Sequence, residues 1–159
     1  MNIEQKVNSI MRYIAADSRV EKDKIMEEIK EMIEPITKGT QAENIEDVIS
    51  EIFLEIGVPE HILGYRYSEF AIRIATENPD IINAITCELY PTVANKFNTT
   101  ASRAERAIRH AIECSWERIS TEAMEKYFGN TVSPTRGKPT NSEFIARISN
   151  IVRRRINNG

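Results

Sequence analysis

One stretch of the sequence carries side chains that suit recognition of nucleic acid. Arg103, Arg106 and His110 are spaced by three and four residues, so on a helix they share one stripe. Arginine matches guanine O6 and N7 in the DNA major groove, and Glu105 is placed to accept from a cytosine amino group. We therefore expect Arg103, Glu105 and Arg106 to read bases. The competing interpretation is an ordinary solvated helix face.

Polar and basic side chains near this stripe are candidates for contacts with the DNA backbone. Phosphates suit the N-terminal end of a helix, where free amide groups carry partial positive charge. The candidates are Lys96, Thr99, Thr100 and Ser102. Lys138 and five arginines could extend this footprint: Arg136, Arg147, Arg153, Arg154 and Arg155. The run at 153–155 also has a structural interpretation, because basic residues suit any helix C-terminus.

The residues before the arginine stripe have the spacing of a helix-turn-helix. Ala94 supplies a small residue that faces the second helix. Asn98 falls where the turn residue often adopts a left-handed conformation, which glycine and asparagine tolerate best. Ala104 and Ala107 follow ten and thirteen residues after Ala94, where close packing of two helices requires small residues. The second helix, at about 100–118, is therefore the expected recognition helix.

Apolar residues recur at helical spacing almost throughout the chain, which predicts an all-α fold. Pro35 and Gly39 should end the second helix, and Gly57 should cap the third. Four capping boxes are expected at Ser18/Glu21, Thr40/Glu43, Ser102/Glu105 and Thr140/Glu143. Further helices are expected at 59–77, 79–90, 91–97, 121–127 and from Thr140 onward. The segment 129–141 is the one substantial loop.

Charge is distributed unevenly along the 159 residues. The chain has 21 basic and 24 acidic residues, and its formal net charge of −3 argues weakly against nucleic acid. Residues 1–90 carry a net charge of −9, whereas residues 91–159 carry +6. Phosphate attraction acts within a screening length of about 10 Å, so the local balance matters more than the total. The basic part surrounds the helix-turn-helix pattern.

Little in the sequence suits a metal, a cofactor or enzymatic chemistry. Cys87 and Cys114 lie in apolar surroundings and are expected to be buried thiols. His61 and His110 are far apart in sequence, and no glycine-rich phosphate loop is present. No apolar run is long enough to span a membrane, and the N-terminus lacks a signal-peptide core. We therefore expect a cytoplasmic protein that is not an enzyme, has no cofactor and does not bind membranes.

Three segments resemble one known family. The stretch YPTVANKFNTTASRAERAIRHAIECSW (90–116) closely resembles the C-terminal DNA-binding domain of stage zero sporulation protein A, the sporulation master response regulator of endospore-forming Firmicutes. FGNTVSPTRGKPTNSEFIARI (128–148) and EIGVPEHILGYRY (55–67) match the same domain. The resemblance covers about residues 52–155. It implies a six-helix domain, with the helix-turn-helix at its centre, that acts in transcription regulation.

The resemblance also implies a ligand and roles for particular residues. The family binds short DNA boxes resembling TGTCGAA, often as a tandem dimer, and activates or represses promoters. Matching positions place Arg103, Glu105 and Arg106 at bases, and Arg109, His110 and Lys138 at or beside the backbone. In the family, the region after the recognition helix contacts the RNA polymerase sigma subunit. Here that region, about 119–128, departs from the family pattern.

The segment in front of the match has a different character. About 50 residues precede it, which is too few for an alternating α/β receiver domain, so we expect no control by aspartyl phosphorylation. We divide the chain into an acidic helical extension at 1–50 and a DNA-binding domain at 51–159. The extension could form a homodimer, pack on its own DNA-binding domain, or shield or dock on a basic surface. An alternative function is therefore a protein-interaction antagonist or adaptor that acts through the extension.

Overall fold

A computed structural model describes residues 3–16, 18–39, 44–129 and 137–158. These residues are mostly helical and contain no strand, which confirms the all-α prediction. Their α-helices are α1 (Ile3–Ala15), α2 (Arg19–Gly39), α3 (Ile45–Ile56), α4 (Leu63–Glu77), α5 (Tyr90–Lys96), α6 (Ala101–Arg118), α7 (Thr121–Tyr127) and α8 (Asn141–Asn158). None of the described helices is long and apolar enough to cross a bilayer. The contacts divide the chain into two units, 1–42 and 43–159.

The first unit contains α1 and α2, which pack against each other. The Ser18 hydroxyl accepts a hydrogen bond from the Glu21 amide at 3.1 Å, as the predicted capping box requires. The predicted break at Pro35 is wrong, because the backbone of α2 stays helical as far as Gly39. A proline removes one amide donor, and this loss does not by itself end a helix.

The second unit contains α3 to α8 around one hydrophobic core. Helix α4 packs against both α6 and α8 and so lies at the centre of this unit. Phe53, Ile72, Ile108 and Ile145 are completely buried, one from each of the helices α3, α4, α6 and α8. Helix α3, which a division at residue 50 would cut, lies wholly in this unit. The recognition-helix candidate α6 is therefore anchored in the core by its apolar side.

Two helix predictions in this unit need correction. Helix α4 begins at Leu63 rather than Pro59, because residues 59–62 form a turn in which Pro59 is buried. The helix expected at 79–90 is not regular. Pro79–Ala84 forms a 3₁₀ helix, and Ile85–Leu89 forms a π-helical turn that leads into α5. Apolar spacing alone does not distinguish these tighter and wider turns from an α-helix.

Local signals did identify several helix ends. Gly57 caps α3 with a left-handed φ of 76°. The N-cap of α3 is Asn44, whose side chain accepts from the Glu46 amide, whereas Thr40 and Glu43 lie outside the described residues. The box at the start of α8 is confirmed in both directions: the Glu143 amide donates to Thr140 Oγ1 at 3.2 Å, and the Thr140 amide donates to Glu143 Oε2 at 3.0 Å.

Candidate nucleic-acid interface

The turn between α5 and α6 has the geometry that the sequence predicted. Asn98 has a φ of 51°, and no other described residue except glycine has a positive φ. The Thr99 amide donates to the Ala94 carbonyl at 2.9 Å, which closes the C-terminus of α5. Ala94 is buried. The left-handed conformation expected at Asn98 is therefore confirmed, and it lies in the four residues that join α5 to α6.

Helix α6 presents one buried face and one exposed face. Its buried side chains are Ala104, Ile108, Ala111, Ile112 and Ser115. The predicted N-cap is wrong. Thr100 caps the helix by accepting a hydrogen bond from the Arg103 amide at 3.2 Å, and Ser102 lies within the first turn. The helix therefore starts at Ala101.

Close contacts with α3 and α4 fix the position of α6. A Cβ added at Gly64 would overlap the carbonyl oxygen of Ala107 and lie 2.8 Å from the Ala111 side chain. Only a glycine lets α4 approach the backbone of α6 this closely. The Ser115 hydroxyl also donates to the Ile56 carbonyl at 2.7 Å, which joins α6 to the last residue of α3. These contacts leave the opposite face of α6 toward solvent.

The exposed face carries the predicted base-reading arginines. Arg103 and Arg106 are exposed, and among the described residues neither guanidinium has an ion pair or hydrogen bond. Glu105 is half-buried, and its carboxylate is paired with the exposed Arg109 one turn later. His110 is exposed, with Nε2 3.6 Å from the Cys114 sulfur. The two unpaired guanidinium groups in the first two turns are therefore the side chains most available to a ligand.

The candidate backbone contacts near the turn are also at the surface. The Lys96 ammonium lies 5.8 Å from the centre of the Phe70 ring, and its side chain is exposed. Thr99 is half-buried, whereas Thr100 and Ser102 are exposed. The Thr100 oxygen accepts the capping hydrogen bond, so its hydroxyl hydrogen is still available to donate to a phosphate.

Lys138 lies beside α6 although it is 20 residues beyond the end of that helix in the sequence. Its ammonium is 2.5 Å from Glu113 Oε1. The hydrogen bond from Lys138 lowers the pKa of the Glu113 carboxyl group. Trp116 Nε1 donates to the Gly137 carbonyl, which attaches this end of the loop to the same helix. The structure thus brings Lys138 and the exposed face of α6 together.

Asn141 is a positioning residue that sequence reasoning missed. It is buried, and its side-chain amide donates to Tyr90 Oη and to the Glu105 carbonyl, each at 3.1 Å. Burial raises the pKa of the Tyr90 hydroxyl, which therefore stays protonated. Asn141 thus ties the starts of α5, α6 and α8 together. The sequence shows an asparagine inside the Thr140/Glu143 capping box, but it does not show that the hydrogen-bond partners of this asparagine lie 36 and 51 residues away.

A cleft of about 480 Å³ lies at this junction and brings three predicted site residues together: Glu105, Arg109 and Lys138. Its other lining residues are Tyr90, Pro139, Thr140, Asn141 and Ser142.

The family model described as "Sporulation initiation factor Spo0A C terminal" matches residues 49–152. The chain belongs to this family. Proteins of the Spo0A C-terminal family are DNA-binding transcription regulators of sporulation, and the family is not an enzymatic one.

The Spo0A C-terminal match contains all of α4 to α7 and most of α3 and α8. It therefore includes the turn at Asn98, the arginine stripe and the loop end at Lys138. In helix-turn-helix proteins in general, DNA lies against the exposed side of the second helix. The geometry of α6 in this Spo0A family member agrees with that use.

Several arginines that were expected to extend the phosphate footprint have structural partners instead. Arg153 donates to the carbonyls of Thr76 at 3.1 Å and Ala75 at 2.8 Å, at the C-terminus of α4. Arg147 donates to the Tyr127 carbonyl at 2.6 Å, at the end of α7. Arg155 is paired with Glu51, Arg154 is exposed, and Arg136 lies outside the described residues. Arg147 and Arg153 thus cap the C-termini of α7 and α4, and their phosphate contacts stay a prediction.

The cysteine prediction is also wrong. Cys87 is exposed and Cys114 is half-buried, whereas both were expected in the core of this Spo0A-family domain. Cys87 lies in the π-helical turn, where the wider spacing shifts it out of the apolar face that an α-helix would give it. Cys114 contacts the His110 ring on the surface of α6. No three potential metal ligands converge among the described residues.

Proposed function

We propose that this chain is a sequence-specific regulator that binds double-stranded DNA through α6. Arg103, Glu105 and Arg106 read base edges in the major groove. The observation that carries the proposal is the pair of exposed, unpaired guanidinium groups on a helix whose other face is buried. Arginine in this setting matches guanine with two hydrogen bonds. Boxes resembling TGTCGAA are the proposed targets, by family resemblance.

The proposed backbone contacts surround these base readers. Lys96, Thr99, Thr100 and Ser102 act at the start of α6, and Arg109, His110 and Lys138 act farther along it. Their support is their position at the surface beside the helix-turn-helix and the cleft. Such contacts orient a protein on duplex DNA and supply affinity that depends on salt, but they carry no sequence information. A DNA-binding role also implies a cytoplasmic location in a bacterium.

Replacement of Arg106 by alanine tests the role of α6. We expect Arg106→Ala to weaken binding to a TGTCGAA duplex by about 1–3 kcal/mol and to relax discrimination against a scrambled duplex. The matched control is Arg118→Ala, which removes the same charge about 18 Å farther along the same helix. Fluorescence anisotropy titrations measure both variants. Full discrimination in Arg106→Ala would exclude Arg106 as a base reader.

Control of this activity by aspartyl phosphorylation in residues 1–42 is not part of the proposal. The described residues of this unit form two helices and no strand, whereas a receiver domain alternates strands and helices. Incubation with the phosphodonor acetyl phosphate should therefore leave DNA affinity unchanged. A phosphodonor-dependent gain in affinity would contradict this part of the proposal.

The region 119–128 is the proposed contact for the RNA polymerase sigma subunit. Helix α7 buries Ala123 and Tyr127 in the core and leaves Glu122 and Glu125 exposed. A double charge reversal, Glu122→Lys with Glu125→Lys, should leave DNA binding intact and reduce activated transcription in vitro. Unchanged transcription would exclude this surface.

We further propose that the first unit forms a homodimer through α1. Four large apolar side chains on one side of α1 are between 48% and 68% exposed: Val7, Ile10, Met11 and Ile14. Ser9 and Ala16, on the opposite side, are buried. The side of α1 that is richest in apolar residues is thus not covered by α2. An uncovered apolar stripe of this kind marks an interaction surface.

A second copy of α1 fits this stripe. In an antiparallel pair with a twofold axis, Val7 lies opposite Ile14, and Ile10 lies opposite Met11, so each apolar side chain meets another. Residues 1–42 carry seven basic and eight acidic residues, so this unit has no surplus of positive charge to attract DNA or an anionic membrane to the stripe. A chain that stayed monomeric would instead favour the antagonist or adaptor function.

A further inference from the structure

The segment 137–140, which carries Lys138, does not depend on the ion pair between Lys138 and Glu113 for its position. Gly137 is held by the Trp116 side chain, Pro139 is buried, and Thr140 caps α8. The Lys138 and Glu113 side chains are 45% and 40% exposed. Exposed ion pairs contribute little to stability. The pair can therefore open without disturbing the backbone around it.

Glu113 holds the Lys138 ammonium in an ion pair, so a DNA phosphate would have to displace the Glu113 carboxylate to contact this lysine. Its carboxylate lies 2.5 Å from the Lys138 ammonium on the same helix as the arginine stripe, one turn beyond Arg109. A lysine ammonium that is held by a carboxylate is already neutralised locally, so a DNA phosphate gains less from it. Arg103 and Arg106, in contrast, have no acidic partner among the described residues.

We propose that Glu113 is an internal competitor of DNA, which withholds the Lys138 ammonium from the phosphate backbone. This inference rests on the proposed DNA-binding function. The effect is on affinity for all sequences, because phosphate contacts carry no sequence information. Base discrimination remains with the arginine stripe. Glu113 thus limits binding to random DNA without altering which box is preferred.

The variant Glu113→Gln tests the proposal. We expect it to bind both a TGTCGAA duplex and a scrambled duplex about two- to fivefold more tightly, with their ratio unchanged. The slope of log affinity against log salt concentration should become steeper by about one, because one more phosphate contact releases one more counterion. The matched control is Glu117→Gln, one turn later, where Glu117 lines a surface depression together with Glu113, Trp116 and Lys138. Glu117 has no ion pair among the described residues, so its salt slope should stay unchanged.

A double-mutant cycle separates competition from a general charge effect. Lys138→Ala should weaken binding more strongly in the Glu113→Gln background than in the wild type, since only there is the lysine free. Weaker binding by Glu113→Gln would overturn the proposal and make Glu113 a positioning residue. Identical behaviour of Glu113→Gln and Glu117→Gln would also overturn it. If no variant bound either duplex, the proposed DNA-binding function would fail as well.

Discussion

Arg106 and Arg153 are the same residue type on amphipathic helices, and their surroundings give them different roles. Arg106 is exposed and has no partner in the described residues, so its guanidinium can meet a base edge. Arg153 is half-buried, and it satisfies two carbonyl groups at the C-terminus of α4. Residue type alone therefore does not distinguish a ligand contact from a structural one.

Removal of Arg153 should affect stability rather than DNA binding. Arg153→Ala leaves the Ala75 and Thr76 carbonyls without their charged donor, so we expect the free energy of unfolding to fall by about 1–3 kcal/mol. Urea denaturation followed by the fluorescence of Trp116, the single tryptophan of the chain, measures it.

The control for this change is the neighbouring Arg154→Ala, which removes an exposed side chain and should cost less than about 0.5 kcal/mol. DNA affinity should be the same for Arg153→Ala and Arg154→Ala. Unchanged stability together with weaker DNA binding by Arg153→Ala would restore the phosphate role that its sequence suggests.

For single residues, the sequence predicted which side chains are exposed better than it predicted which groups they contact. Spacing of three and four residues placed Arg103, Arg106 and His110 on one surface, and all three are exposed. The partners of Arg153 lie 77 and 78 residues away in the chain, so no local pattern contains them. The hydrogen-bond partners of Asn141, which lie 36 and 51 residues away, are likewise outside any local pattern.

Among the elements, the turn before α6 determines where this helix begins. Asn98 adopts a left-handed conformation that costs a β-branched residue roughly 1–2 kcal/mol. We expect Asn98→Val to lower the free energy of unfolding by about that amount and Asn98→Gly to preserve it. Denaturation followed by Trp116 fluorescence again measures both variants.

Asn95→Val is the matched control, because Asn95 is exposed within α5 and has a right-handed conformation. The cost there should be only a few tenths of a kcal/mol. Equal losses at positions 95 and 98 would show that the left-handed turn does not stabilise this pair of helices.

Helix ends that depend on short-range signals were predictable. Thr140 and Glu143 cap each other across three residues, and Gly57 ends α3 as expected. The predicted capping box at Ser102/Glu105 is wrong because Thr100, which directly follows the turn, is the N-cap of α6. The close approach at Gly64 was not predictable, since it depends on the backbone of a helix more than 40 residues later.

For the whole molecule, the uneven charge lies within the second unit, where residues 43–90 carry a net charge of −8 and residues 91–159 carry +6, whereas residues 1–42 carry −1. The first unit exposes an apolar stripe, and the second exposes the arginines of α6. The net charge of −3 would therefore mislead about partners. A surface that binds DNA and a surface that pairs two copies would together favour binding to tandem boxes, because the second contact becomes intramolecular.

A charge within the apolar stripe should abolish pairing of two chains. Ile10→Glu places a carboxylate in the centre of the proposed interface, so we expect a monomer where the wild type shows a dimer in sedimentation equilibrium. Val20→Glu is the control, because Val20 is 80% exposed on α2 and lies outside the stripe. Equal masses for the wild type and Ile10→Glu at every concentration would exclude α1 as the interface.

The most direct test of the central claim is a comparison of affinities for two duplexes. One labelled duplex carries a TGTCGAA box and the other a scrambled sequence of the same composition, and both are titrated with the intact chain at one salt concentration. We expect the box to bind at least about tenfold more tightly, because each mismatched base pair typically costs about 1–3 kcal/mol. Equal affinity for the two duplexes would contradict sequence-specific recognition by α6.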